Sequence, residues 1–401
     1  MGIFNALADG MQPPEGFNDG LLMLLPKKGT GLPQDTRPLS VTNAFNRIIA
    51  HGVLSCIEDP LAQFLHKAQK GFVPGRQGAD HITTLNERFY RAVEERVDYF
   101  ALFVDTEKAF DSIDHDYLLA LLRRIGLPRW VVTIIGALLR DVKVNPVLGG
   151  GTSVWISICR GVKQGCPLSP LLFALAYDPL ICLLDGVRDL DPFAFADDMA
   201  LGTTRFGSLS EAMLLINEFR VVSGLGVNVG KTTLIFSRGS TREVKQLVGG
   251  TPWPTLKVLD SHVYLGILMG RNITVERIYA TALHKLQLRM SGLLPSVRSL
   301  HHASRVTVFN VFLLTKLSYI MNYYSLPYDT AASSAVGVVE RVASKLVINF
   351  NCAYPYVHLI QPLDRLGPSP PLRERLGRQR RNPSRPSRVR RVGWCHGSHP
   401  G

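Results

Sequence analysis

Six cysteines are scattered through the 401 residues, at 56, 159, 166, 182, 352 and 395, and no two form a C-x-x-C pair. That spacing argues against a zinc site and for a reduced, intracellular setting, nuclear as one option. No basic-then-apolar leader pattern opens the chain, so secretion is not expected. Long apolar runs are also missing. Trp130 to Leu139 is too short to span a bilayer, and Val306 to Leu326 is interrupted by Asn310, Lys316 and Asn322, so a membrane partner is not expected. Acidic charge is scarce: 32 Asp and Glu face 45 Lys and Arg, giving +13 and a pI near 9.6. Such a balance suits a polyanion such as nucleic acid. Most of it lies in the tail, where residues 361–401 hold ten Arg against one Asp and one Glu, leaving +5 for residues 1–360.

The few acidic residues are placed informatively. Phe193-Ala194-Phe195-Ala196-Asp197-Asp198-Met199-Ala200-Leu201 puts two adjacent carboxylates between apolar runs. At roughly 4 Å and an effective dielectric near 20, two such charges repel by about 4 kcal/mol. A fold that keeps both ionised needs a cation beside them, unless the pair sits in a solvated turn. A second apolar run, Tyr99 to Val104, reads as a buried strand and ends on Asp105. Three carboxylates at strand ends, with no His or Cys beside them, make an all-oxygen donor set that suits Mg²⁺, with Mn²⁺ as a substitute.

Two other motifs compete and fail. Asp105 to Asp111 is acid-rich like a calcium loop, but Ala109 stands where an oxygen ligand belongs and no Gly follows. Gly224 to Thr232 resembles a phosphate-cradling loop, but Leu225 occupies the first required glycine position. The strand-like Thr233 to Ser237 follows, where a helix should open.

Taken in order, the motifs resemble a reverse transcriptase of the non-LTR (LINE-type) retrotransposon group, over roughly residues 20 to 350, as a fragment of a longer polyprotein. Leu24-Leu25-Pro26-Lys27-Lys28-Gly29 with Arg37-Pro38-Leu39-Ser40 is similar to the opening fingers motif, and Gln69 to Arg76 to the second. Phe103 to Asp111 resembles palm motif A, Arg160 to Pro170 motif B, and Phe195-Ala196-Asp197-Asp198 motif C. Gly226-Val227-Asn228 with Lys231-Thr232 resembles motif D, and Tyr264-Leu265-Gly266 the primer grip.

The resemblance implies RNA-directed DNA synthesis from deoxynucleoside triphosphates on an RNA template and a DNA primer. In it, Asp105, Asp197 and Asp198 hold two Mg²⁺ ions. Phe110 stands under the incoming sugar, Gln164 and Gly165 line the nascent base pair, Arg37 and Arg76 meet phosphates, and Lys231 serves the departing pyrophosphate. Structural readings stand beside these: Phe110 as core, the Gln164–Gly165 segment as a turn, the cations as solvated side chains. Asp111 reads as an acid at a helix start. Ser169-Pro170 reads as an N-cap followed by the first helical residue, and Pro179 should kink or end that helix.

The expected fold class is α+β, a right-hand polymerase with a ferredoxin-like palm, split fingers and a helical thumb. Fingers fall in 1–97, palm with interleaved fingers elements in 98–272, thumb in 273–350, and a Pro/Arg-rich tail expected to be disordered in 351–401. Val275 to Leu294 and His301 to Tyr324 read as two thumb helices. The rivals are a group II intron-type enzyme and a catalytically dead remnant that binds nucleic acid.

Overall fold

The computed structural model describes residues 2–26, 36–147, 154–297 and 300–324. Lys27, Lys28 and Gly29, and everything from 325 onward, including the tail, lie outside the described residues. The chain divides into two compact units, Met1–Ile273 and Thr274–Gly401.

In the first unit, helix α1 (Gly2–Ala8) precedes strands β1 (Gly20–Pro26) and β2 (Thr36–Thr42) and helices α2 (Ala44–Phe64) and α3 (Ala79–Glu95). Strand β3 (Phe100–Asp105) leads into α4 (Ala109–Ser112), α5 (His115–Arg124), α6 (Arg129–Leu139), β4 (Val142–Pro146) and β5 (Ile156–Ile158). Then come α7 (Ser169–Asp185), β6 (Leu190–Phe195), β7 (Asp198–Thr203), α8 (Phe206–Ser223) and β8 (Thr233–Phe236). Helix α9 (Thr241–Gly249) and strands β9 (Lys257–Leu259), β10 (Ser261–Tyr264) and β11 (Ile267–Gly270) complete it.

The central sheet has the order β6-β7-β3-β8-β9. Its core winds as β3–α7–β6–β7–α8–β8, the βαββαβ path of a ferredoxin-like domain. The α+β class and palm topology expected from the sequence are therefore present. Strand β3 is central and buried along Phe100 to Val104, so it reads as an unbroken apolar run rather than an alternating one. Phe100, Leu102 and Val104 belong to the core cluster that includes α7 and α8, while Phe103 packs on His262 and Tyr264. Side chains alternate along a strand, so Asp105 shares the face of Phe103, away from the two helices. A second sheet, β2-β1-β4-β5, carries the first fingers motif.

Two local expectations need correction. Helix α7 does not end at Pro179 but continues to Asp185. Losing one backbone bond there costs about 3 kcal/mol, but burial of Leu172, Phe173, Leu175, Tyr177, Leu180, Ile181 and Leu184 contributes about 1.5–3 kcal/mol per large side chain. Ser169 is the first helical residue rather than the cap, and Leu168 caps without a side-chain bond. Asp111 lies in the first turn of the short α4, an acid at a helix start as expected, and Asp114 caps α5, its carboxylate accepting from the N–H groups of Asp116 and Tyr117.

The second unit contains α10 (Val275–Val297), α11 (His302–Val308), a π-helical segment Phe309–Leu314 and α12 (Thr315–Met321). The stretch expected as one α-helix from His301 is thus wound in two forms. Tyr279 is buried and donates from its hydroxyl to the Tyr324 carbonyl at 2.6 Å, joining the two ends of the unit's described part.

Candidate active site

The site is built where two strands meet. Asp105 ends β3 and Asp198 begins β7, and the two are direct antiparallel partners. Cross-strand partners have Cβ atoms on one face about 4.5–5.5 Å apart, so both carboxyls share the face away from α7 and α8. Asp197 precedes Asp198 in the two-residue turn between β6 and β7, where Phe195 pairs with Asp198. Packed surroundings, with the negative charges of Asp197 and Asp105, raise the Asp198 carboxyl to about 6. Among the described residues, no three acidic, His or Cys side chains stand close enough to hold an ion as they are. The donor set still fits a hard divalent cation: it is all carboxylate, and the mutual repulsion that helps raise the Asp198 carboxyl is what such an ion would offset.

Neighbouring segments fix the end of β3. The Asp105 carbonyl accepts from the Asn228 N–H at 2.9 Å, and Glu107 N–H donates to the Gly226 carbonyl at 2.8 Å. The Asp105 N–H donates to Thr232 Oγ1 at 3.2 Å, and that hydroxyl donates to the Asn228 carbonyl at 2.9 Å. The Gly226–Thr232 segment is thus a brace on the motif A strand. Gly230 lies in its turn and the segment leads into β8, in keeping with its rejection as a phosphate loop.

A second tie runs beneath the aspartates, and the sequence reading missed it. Thr106 Oγ1 lies 3.3 Å from the Asp197 carbonyl, to which it donates, and 3.1 Å from the hydroxyl of the buried Tyr177 on α7. The signal available in the sequence was weak: a Thr beside an acid and a Tyr within an apolar helix.

Phe110 is half-buried, its ring stacked on Phe173 with centroids 4.7 Å apart and edge-on to Phe72 at 6.0 Å. Its carbonyl accepts from Val162 N–H at 2.6 Å, which docks the motif B loop onto motif A. Further along that loop the Gln164 carbonyl accepts from Ser40 N–H at 2.8 Å. Gly165 has φ of +114°, and a Cβ there would stand 2.6 Å from the Ser40 carbonyl. The loop and the Arg37-Pro38-Leu39-Ser40 strand therefore touch, and only glycine fits at 165.

The expected cations divide. Arg37 is exposed on β2 and Lys231 is exposed on its turn. Arg76 is otherwise engaged. Its guanidinium donates to the carbonyls of Ala62, Leu65, His66 and Gln69 at 2.6–2.8 Å, so it closes the C-terminus of α2 instead of facing a phosphate. Arg76→Ala should therefore destabilise the fold by about 2–4 kcal/mol, read by urea melting, with primer–template affinity of the folded protein unchanged. A selective loss of affinity without destabilisation would return Arg76 to the phosphates.

Tyr264 is buried, and its hydroxyl donates to the Phe193 carbonyl at 3.1 Å. Leu265 and Gly266 form the two-residue loop of the β10–β11 hairpin, with φ of +45° and +83°, a type I′ geometry that matches strand twist.

Comparison with known proteins agrees with this construction. The family of reverse transcriptases (RNA-dependent DNA polymerases) matches residues 25–267, and the chain belongs to it. Its relatives are those of the non-LTR retrotransposon group. The Pol polyprotein of the type-2 element R2DM from Drosophila melanogaster is 32% identical over 63% of this chain and 25% of its own length. A transposon TX1 protein from Xenopus laevis is 29% identical over 55% of this chain and 18% of its own. The chain thus spans a quarter or less of these relatives. A solved telomerase from Candida albicans, in complex with a TWJ fragment of telomeric RNA, aligns with a TM-score of 0.47 at 12% identity. It covers 90% of this chain and 67% of that one, a likeness too distant to carry an assignment. No helix among the described residues is long and apolar enough to cross a membrane.

Proposed function

We propose that the chain extends a DNA primer on an RNA template by nucleotidyl transfer from deoxynucleoside triphosphates. The observation that carries this reading is the cross-strand pairing of Asp105 with Asp198 beside the Asp197 turn, in a chain of the reverse transcriptase family. Asp105 and Asp197 would hold the metal, with Asp198 completing the acidic cluster. When bound, a pair of Mg²⁺ ions supplies charge neutralisation and orientation of the primer hydroxyl and the phosphates in an in-line displacement. The chain's own residues do the rest by position. The brace on β3 holds Asp105, Phe110 faces the sugar, and the Gln164–Gly165 backbone lies close against β2 to border the base pair. Arg37 and Lys231 remain exposed cations available to phosphates.

In this reading residues 1–97 are fingers, 98–272 palm and 273–350 thumb, and the unit boundary after Ile273 supports the last division. Purified protein given an RNA-annealed DNA primer, dNTPs and Mg²⁺ should extend the primer. No extension under those conditions would overturn the reading.

The metal part has an independent test. Saturating Mg²⁺ should raise the melting temperature by several degrees, since an ion bound only to the folded state stabilises by about 2.7 kcal/mol at a hundred times its Kd. Asp105→Asn should shrink that shift. An equal shift in the variant would move the ion elsewhere.

A further inference from the structure

We propose that Gln69 is the positioning residue of the catalytic turn: its side-chain oxygen clamps Ala196 in a left-handed backbone conformation and thereby sets where Asp197 stands. The proposal rests on the reading above: its activity arm on primer extension and its binding arm on the divalent-ion site, which the Mg²⁺ melting shift tests separately.

Ala196 is the first residue of the β6–β7 turn, with φ of +55°. Residues carrying a Cβ avoid that region, which hairpin loops usually fill with Gly, Asn or Asp. Ala196 is also buried, at 3% exposure, so solvent does not satisfy its N–H. Gln69 does. Gln69 is fully buried, and its Oε1 accepts from Ala196 N–H and from Gly71 N–H, both at 2.9 Å.

The clamp is itself anchored. Gln69 forms a parallel bridge with Ala194 on the edge strand β6. Lys70 N–H donates to the Ala194 carbonyl at 2.8 Å, and Ala194 N–H donates to the Ala68 carbonyl at 3.0 Å. Gly71 then lies flat on the turn, where a Cβ would stand 2.7 Å from the Phe195 carbonyl carbon and 2.9 Å from Ala196 Cα. The Gln69-Lys70-Gly71 segment therefore moves with the catalytic hairpin. A buried amide oxygen shared between two backbone donors leaves the turn one arrangement.

The test uses Gln69→Met, which keeps length but removes the acceptor, Gln69→Asn, which keeps the amide but shortens its reach, and Ala196→Gly alone and combined with Gln69→Met. The first readout is Mn²⁺ binding by water-proton relaxation, which needs no turnover. The half-saturating Mn²⁺ concentration should rise about tenfold in Gln69→Met, the equilibrium value of an alanine released from the left-handed region. The double variant should return toward wild type, because glycine holds a positive φ without a clamp. In single-nucleotide addition, kcat should fall by about the same factor while KM for dNTP and primer–template affinity stay within about twofold. Should Gln69→Met not fold, Gln69→Asn carries the same readouts.

A wild-type Mn²⁺ midpoint in the Gln69 variants, or a weakened one that Ala196→Gly leaves unrelieved, would overturn the proposal. Failure of the polymerase reading looks different: wild type extends no primer, yet the Mn²⁺ midpoints still shift and recover, which supports the clamp.

Discussion

Asp197→Asn is expected to abolish primer extension, with a loss of about a thousandfold or more in the rate of nucleotide addition. The substitution preserves shape, so the turn between β6 and β7 and its pairing of Phe195 with Asp198 should persist. What it removes is the charge. A neutral amide could not replace the anionic oxygen ligand that a divalent ion would need there. The variant should fold at least as well as wild type without metal, because the cluster repels itself: the charges of Asp197 and Asp105 both contribute to raising the Asp198 carboxyl to about 6. Thermal melting in chelator checks this. A variant that melts normally and adds nucleotides at the wild-type rate would remove Asp197 from the chemistry.

The second large effect concerns sugar selection. Phe110 lies five residues beyond Asp105, packed between the stacked face of Phe173 and the edge of Phe72. Both neighbours limit where its ring can go, so it presents a fixed wall. Phe110→Val should shift the ribonucleotide-to-deoxynucleotide ratio of kcat/KM toward ribonucleotides by about 10–200-fold, the range available to a change of pocket volume. Stability should fall modestly, since the ring is only half-buried. An unchanged ratio with the expected loss of stability would make Phe110 an ordinary core residue.

How much of this was legible in the sequence depends on how local each cause is. The strand ending on Asp105 announced itself as an apolar run closed by a charge, because a central strand is buried on both faces and needs no alternation. The two adjacent aspartates between apolar runs likewise put charge at strand ends. Arg76 misled for the opposite reason. In sequence it is an arginine in a glycine-rich loop, and its actual partners are carbonyls 7–14 residues earlier, at the end of α2 and in the segment just past it. Pro179 misled through a local rule that burial overrode. Ser169 was displaced by one residue, as helix ends usually are. Thr106 and Gln69 escaped because each acts through a hydrogen bond to a backbone atom distant in sequence, and Tyr177 because its hydroxyl meets a side chain 71 residues away. Neither periodicity nor composition reports such a bond.

The proposed function requires Asp105, Asp197 and Asp198 to act together on the divalent ion that RNA-templated DNA synthesis would need. Its most direct measurement is single-turnover addition of one dNTP to a DNA primer annealed to RNA, with wild type and Asp197→Asn side by side at matched primer–template occupancy. The expected result is Mg²⁺-dependent addition by wild type and none by the variant at equal occupancy. Equal rates in the two proteins, or addition by wild type that persists in chelator, would contradict it.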